Sequence, residues 1–424
     1  MALFARVSSQ TDSLRTLTLE HCIATAKNNS LIMQQAQKAQ HIAVLARKDI
    51  SATAYPLVKL EAGGVYSPVT LRHGYDPTIT DQGQLSGQAV VEQPIYDGGI
   101  RGLRKTQGDL DIGRLNIEQL LAVKNLEFNV THAFIEALSS QSEMSLRKSD
   151  ESNLYDYYLL AKSLHAAGSA DYTDVLSTQS RLLSDSLALN QTDQKLTANK
   201  LALAELIGNA GDTAFSLSGT LEDLIPQSGD RQGAMAYFDS LQNLELSSAQ
   251  LDYKRSQFDI SAIRREMIPN LSFIGDLGYL SSRDNLLLPT SERINGIGYE
   301  VGFSLGVPIF DWGIRKRRIQ QLQLTSDSLQ LQTEILKRSL LTQYRTTLAG
   351  LSSARNRLRL ADAALSTASD NFDLMKAKYA GGSALTVEVL DAYQALTEAR
   401  LSKLEILADM ATLSALLRRI NAHE

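Results

Sequence analysis

The chain has 424 residues, a formal net charge of −5 and 42 Lys and Arg against 47 Asp and Glu. With pI near 5.8 and no basic block, this balance argues against nucleic acid as a partner. Aromatics make up 6% and prolines number 8, while Leu, Ala, Ser and Gln fill long stretches, a mix that favours long helices.

The first predicted element is a helix around "LTLEHCIATAKNNS" (17–30). It holds Cys22, the single cysteine, so no intrachain disulfide can form and the thiol reads as buried and structural. The start, "MALFARVSSQ", is too short for a complete signal peptide. A signal peptide is therefore expected to be absent from this sequence. Two strands follow, about 57–67 and 84–96, around a polar loop at 68–83. Then comes "QPIYDGGIR" at 93–101, which opens a proline-free helical pattern over 99–165 with Asp97 as its N-cap. A turn at 167–173 and a returning helix with Val175, Leu182, Leu189, Leu196 and Leu203 every seventh position complete the first half.

The second half repeats this order. "VPIFDWGIR" at 307–315 lies 214 positions beyond the first phrase, and "NFDLMKAKYAGGSALTVEVL" (371–390) overlies "YYLLAKSLHAAGSADYTDVL" (157–176) at the same offset. The chain therefore reads as a doubling of one multi-element module, residues 17–211 and 231–424, joined by a linker at 212–230. Its strands are expected at about 270–281 and 298–310, with a polar loop at about 281–296. Its long helix is expected at 313–379, capped by Asp311. Its returning helix keeps Val389, Ala392, Leu396, Ala399, Lys403, Ile406, Met410, Leu413, Leu417 and Ile420 in steps of three and four, a coiled-coil seam. Leu176, Leu183, Leu390, Tyr393, Leu401 and Leu404 lie beside the seams, so each returning helix should have neighbours on two sides. Gly168 and the Gly381–Gly382 pair fit C-terminal caps of the long helices.

The strands alternate. In 298–310, Tyr299, Val301, Phe303, Leu305, Val307 and Ile309 share one face, and Gly298, Glu300, Gly302, Ser304 and Gly306 the other. Segments of about 12 residues outrun the usual soluble strand of ~5–6 and, tilted near 45°, reach about 28 Å, close to a bilayer core. Tyr66, Tyr96, Tyr279, Phe310 and Trp312 cluster at strand ends like an interfacial girdle. Four strands cannot close a barrel, and lipid does not tolerate an open edge. Strands in a membrane would thus require several copies sharing one barrel, of a number the pattern leaves open. The competing reading is a soluble coiled-coil scaffold, which explains the long helices but not the paired amphipathic strands. No HExxH, Walker loop, GxSxG or CxxC occurs, so no enzyme, metal or cofactor is expected.

The duplicated phrases "PIYDGG" and "PIFDWG", the duplicated turns "AGSADYTDVL" and "GGSALTVEVLDA", and the opening helix resemble the TolC family of outer-membrane efflux channels over essentially the whole chain. The resemblance implies a mostly α, α+β membrane protein. It would be a homotrimer with a shared twelve-stranded β-barrel, four strands from each of three copies, and a periplasmic α-helical barrel. It would sit in the outer membrane of a Gram-negative bacterium, in contact with lipid. There it would serve a periplasmic adaptor and an inner-membrane RND, ABC or MFS transporter in efflux or type I secretion. The resemblance carries an acidic entrance ring to Glu388 and Asp391, and an entrance latch to Tyr379 and Asp174. The latch's Arg position holds Ala384, so one contact is missing. The tip turns with Gly168, Ser169, Gly381, Gly382 and Ser383 would dock the adaptor. Pro94, Tyr96, Asp97, Pro308, Phe310, Asp311 and Trp312 would mark the strand-to-helix junctions, the two prolines ending the strand pairing.

Overall fold

A computed structural model describes residues 15–65, 84–226, 243–282, 295–381 and 383–421. In chain order the elements are β1 (Arg15–Leu17), α1 (Leu19–Asn29), α2 (Leu31–Ala52), β2 (Leu57–Val65), β3 (Gln84–Tyr96), α3 (Ile100–Ala166) and α4 (Tyr172–Ile207). They continue with β4 (Phe215–Leu217), a 3-10 turn (Glu222–Leu224), α5 (Leu244–Arg265), β5 (Asn270–Ser282), β6 (Asn295–Gly306), α6 (Ile314–Ala380) and α7 (Thr386–Ile420). They form two compact units. One takes Met1–Ala36, Glu118–Ser247 and Ile335–Glu424; the other takes Gln37–Ile117 and Ser248–Glu334. Each unit thus draws on both sequence halves, and neither coincides with a half-repeat.

The first unit is helical. Thr18 caps α1, its hydroxyl accepting from the His21 amide at 3.3 Å. Ser30 then divides the opening helix: its amide donates to the Ala26 carbonyl at 2.8 Å, and its hydroxyl accepts from the Met33 amide at 3.4 Å. Cys22, Ala26, Val130, Phe134, Leu203, Ile207 and Leu407 share one core. The linker expected at 212–230 is more than a linker. Its β4 pairs in parallel with β1, Arg15 opposite Phe215 and Leu17 opposite Leu217, and Phe215, Leu217 and Leu221 are buried in that core. The Gln141 side-chain amide extends the small ladder, donating to the Leu217 carbonyl and accepting from its amide, both at 2.9 Å. Three-residue strands carry too little periodicity to be read from sequence.

The α7 seam buries Val389, Ala392, Leu396, Ile406, Met410, Leu417 and Ile420. On α4 the seam is partly polar: Val175 and Leu203 are buried, but so are Thr178, Asp185 and Thr192 between the half-buried leucines. Of the flanking stripe, Tyr393 is buried whereas Leu176 and Leu183 are exposed.

The second unit contains an antiparallel sheet of order β2-β3-β5-β6. Leu57 opposes Glu92, Ala89 opposes Leu277 and Phe273 opposes Phe303. Directly opposed residues share a face, so Leu60, Ala89, Leu277 and Tyr299 form one apolar row, and Val58, Val91, Gly275 and Val301 the next. The other face carries Lys59, Glu61, Gln88, Glu92, Asp276 and Glu300. Among the described residues the apolar face is largely uncovered: Tyr299 is 81% exposed and Phe303 70%. The strand expected over 298–310 is shifted, because β6 ends at Gly306, opposite Asn270 where β5 begins. Val307 and Ile309 continue the alternation without a partner strand. Beside the sheet, Arg47 on α2 pairs with Asp109 on α3, and Arg255 on α5 pairs with Asp111 on α3, both at 2.8 Å. Among the described residues no helix is long and apolar enough to cross a membrane. Tyr66 lies outside the described residues.

Candidate functional site

The two strand-to-helix junctions are built alike. The Asp97 carboxylate accepts from the amides of Gly99 at 3.1 Å and Arg101 at 3.0 Å. Asp311 accepts from Gly313 and Arg315, both at 3.0 Å. Arg101 and Arg315 also turn their guanidinium groups to these carboxylates, at 3.6 and 3.1 Å. Chiefly the Arg315 amide bond holds the Asp311 carboxyl below its ordinary range. Both turns need left-handed backbone, with φ of 69° and 75° at Gly98 and Gly99. In the second copy Gly313 supplies 76°, and Trp312 takes 55°, the single non-glycine residue with positive φ among those described. Its ring meets Phe310 edge-on at 4.8 Å.

The prolines act differently from each other. Pro94 does not end its strand: it pairs with Ser272, and after a bulge Tyr96 pairs with Leu271. β2 stops opposite Glu92, so the missing Pro94 amide falls where no strand adjoins that side. Pro308 lies beyond the end of β6.

The turns at the far ends of the long helices are matched too. The Ser169 amide donates to Leu164 at 2.8 Å around Gly168, whose φ is 73°. The Ser383 amide donates to Lys378 at 2.9 Å. Gly168, Ser169, Gly381 and Ser383 are exposed; Gly382 lies outside the described residues. Glu388 and Asp174 occupy equivalent third positions of the returning helices. The Leu385 amide donates to Glu388 at 2.9 Å and the Asp171 amide to Asp174 at 3.3 Å. Both carboxylates therefore serve their own helix N-termini, as half of a capping box does. Asp391 is exposed and, among the described residues, has no hydrogen-bond or ion-pair partner. Tyr379 accepts from the Thr386 hydroxyl at 3.3 Å, and no bond joins it to Asp174.

One cluster escaped the sequence reading. Asp150 on α3 is 0% exposed. It accepts from the Thr397 hydroxyl at 2.9 Å and from Arg400 at 3.3 Å, both on α7. Burial, reinforced by the Asp150 charge and opposed by Arg181, raises the Asp185 carboxyl. The Tyr393 phenol is raised as well, first by burial and then by the Asp150 charge. The available signal was Asp185 at a position of the α4 seam where an apolar residue belongs.

An amphipathic antiparallel sheet runs through capped junctions into two 67-residue helices. The model of the outer membrane efflux protein family matches residues 22–209 and 240–422, and the chain belongs to that family. It is 22% identical over 390 residues to the outer membrane protein TolC of Vibrio cholerae, covering 88% of this chain and 86% of that one. It is also 22% identical to the pyoverdine export outer membrane protein OpmQ of Pseudomonas aeruginosa, covering 73% and 61%. Among solved structures, CusC aligns with TM-score 0.80 and 16% identity over 99% of this chain and 95% of its own. VceC of Vibrio cholerae aligns with TM-score 0.76 and 14% identity over 95% and 96%. These likenesses establish a shared fold. Both of these relatives are outer membrane proteins by name.

Proposed function

We propose that three copies of this chain form a passive conduit through the outer membrane. It would be the exit duct of an inner-membrane RND, ABC or MFS pump reached through a periplasmic adaptor. The observation that carries this reading is the sheet. It offers an apolar face to its surroundings and, among the described residues, leaves one side of β2 and one side of β6 unpaired. In lipid the apolar face is solvated, but open edges are costly, so the barrel must close through further copies. The two family matches, one in each half, support the reading of the chain as a doubled module. The exposed leucines beside the α4 seam would meet a neighbouring copy. A soluble scaffold would leave the sheet's apolar face in water.

In this conduit Asp391 and Glu388 would give the tip two acidic rings that attract cations, and Tyr379 and Asp174 would form a latch between copies. Because Glu388 caps its own helix and Asp391 does not, the two are separable. In planar bilayers, single-channel current through the wild-type protein should be blocked by multivalent cations. Asp391→Ala should weaken that block without lowering thermal stability, whereas Glu388→Ala should lower both. A chain that fractionates as a soluble monomer and carries no current would overturn the conduit. Unchanged block in both variants would remove the acidic rings alone.

A further inference from the structure

A buried carboxylate and a guanidinium sit one helical turn apart on α4 without bonding. Asp185 is 7% exposed and, among the described residues, has no hydrogen-bond or ion-pair partner. Arg181 lies four residues before it, the spacing at which opposite charges pair along a helix. Its Nε is buried and has no partner among the described residues, while its Nη1 donates to the Gln394 side-chain oxygen on α7 at 2.8 Å. Arg181 therefore has two acceptors within its reach, one on α7 and one on its own helix, and it holds the first.

The other groups that face Asp185 are already engaged. From α3 come Asp150, Arg147 and Glu151. Arg147 pairs with Glu143 at 3.0 Å, Glu151 accepts from the Ser186 hydroxyl at 2.6 Å, and Asp150 holds Thr397 and Arg400 of α7. From α7 comes the Tyr393 phenol. Arg181 is thus the cation left to answer a charge on Asp185. An ionised Asp185, unpaired and close to Asp150, is costly in a buried layer, whereas a protonated one is not. The raised Asp185 carboxyl, chiefly an effect of burial, agrees with this.

We propose that Arg181 and Asp185 form a proton-operated clasp between α4 and α7. With Asp185 protonated, Arg181 reaches across to Gln394 and ties the two helices together. With Asp185 ionised, Arg181 turns back to its own helix, and α7 is held at this level by α3 alone, through Asp150. Protons stabilise the state that binds them, so acid closes the clasp and rising pH opens it. At 1.5 Å per residue the clasp lies within about 20 Å of the tip turns. It therefore sets how firmly the start of α7, with Glu388 and Asp391, is held. The clasp itself needs only the fold; its service to a channel entrance rests on the conduit reading.

The test is hydrogen exchange, followed by mass spectrometry, over the first turns of α7 in the full-chain oligomer in detergent. Exchange is measured near neutral pH and in acid, corrected for the intrinsic pH dependence of amide exchange, with conductance recorded on the same preparation. Acid should raise the protection of wild-type α7 by at least about twofold, the lower end of the coupling seen within one polar network. Asp185→Asn, which fixes the uncharged form, should be protected equally at both pH values. Gln394 is exposed, so Gln394→Ala spares the core; it should show low protection at both. A wild-type protein without the acid response overturns the clasp, as does a response of wild-type size in either variant. A response confined to the wild type in an oligomer that carries no current supports the clasp and overturns its role at an entrance.

Discussion

At the scale of single residues, Trp312 is the clearest compromise in the chain. The turn it occupies is written for glycine, and Gly98 holds the equivalent place with φ of 69° against 55° at Trp312. A side chain in this left-handed region costs about 1–2 kcal/mol, offset in part by the ring contact with Phe310, worth roughly 0.5–1.5 kcal/mol. Both Trp312→Ala and Trp312→Gly remove the ring, but only glycine also relieves the backbone. The glycine variant should therefore unfold later than the alanine variant in detergent, by about 1 kcal/mol; equal stabilities would show that the turn is not strained. Cys22 makes a different case. It is 0% exposed, and burial pushes its thiol from 9.0 up to about 11. At neutral pH the thiol is protonated in both folded and unfolded chains, and stability falls only as pH rises from the unfolded value through the folded one. A maleimide at neutral pH should label the native protein negligibly and the denatured chain stoichiometrically. Rapid native labelling would mean that the α1 core opens locally. Both residues could be singled out in the sequence: Cys22 through its helical setting, and Trp312 because the duplicated phrase set it against a glycine.

At the scale of elements, the returning helices show what periodicity reveals and what it hides. The α7 seam read from three-and-four spacing is the seam that is buried. On α4 the sevenfold leucines were legible, but the polar residues between them are the more deeply buried, because their partners come from distant sequence. Asp150 and Arg400 are 250 positions apart, and no local pattern links them. Asp185 lies in the same layer with a raised carboxyl. A carboxyl raised on folding contributes fully below its unfolded value of 3.8, and that contribution is lost as pH climbs through the folded value. Ionised Asp185 is thus a liability at neutral pH. Asp185→Asn should raise the melting temperature by roughly 2 °C near neutral pH, with the gain disappearing in acid below the unfolded value. Asp150→Asn should lower it, because Arg400 loses its charged partner. A gain for Asp185→Asn that persisted unchanged in acid would show that titration is not its source. The strand at β6 teaches a related lesson. Alternation runs on through Val307 and Ile309, but a strand ends where its neighbour ends, and that limit lies on β5.

At the scale of the whole molecule, the sheet order decides how copies could join. β2 and β6 are the outer strands. Three inter-strand spacings of about 4.8 Å separate them within one chain, about 14 Å in all. A disulfide requires Cα atoms within about 7 Å. A bond between a cysteine on β2 and another on β6 can therefore form only between copies. With Cys22 replaced by Ala, cysteines scanned over Lys59 and Glu61 on one strand and Gly298, Glu300 and Gly302 on the other should reveal a pairing register. All five positions lie on the charged face, so a bond among them would also fix which faces of neighbouring sheets align. At the matching register, oxidation should produce covalent dimers and trimers on a denaturing gel and nothing larger, since a closed ring of three has no free edge. Species beyond three would change the number of copies and the barrel size with it. Monomers alone, at every position in a membrane-inserted protein, would mean that β2 and β6 do not meet and that the edges are closed in some other way. The pattern of the bonds thus measures the quantity that strand periodicity left open, the number of chains in the proposed barrel.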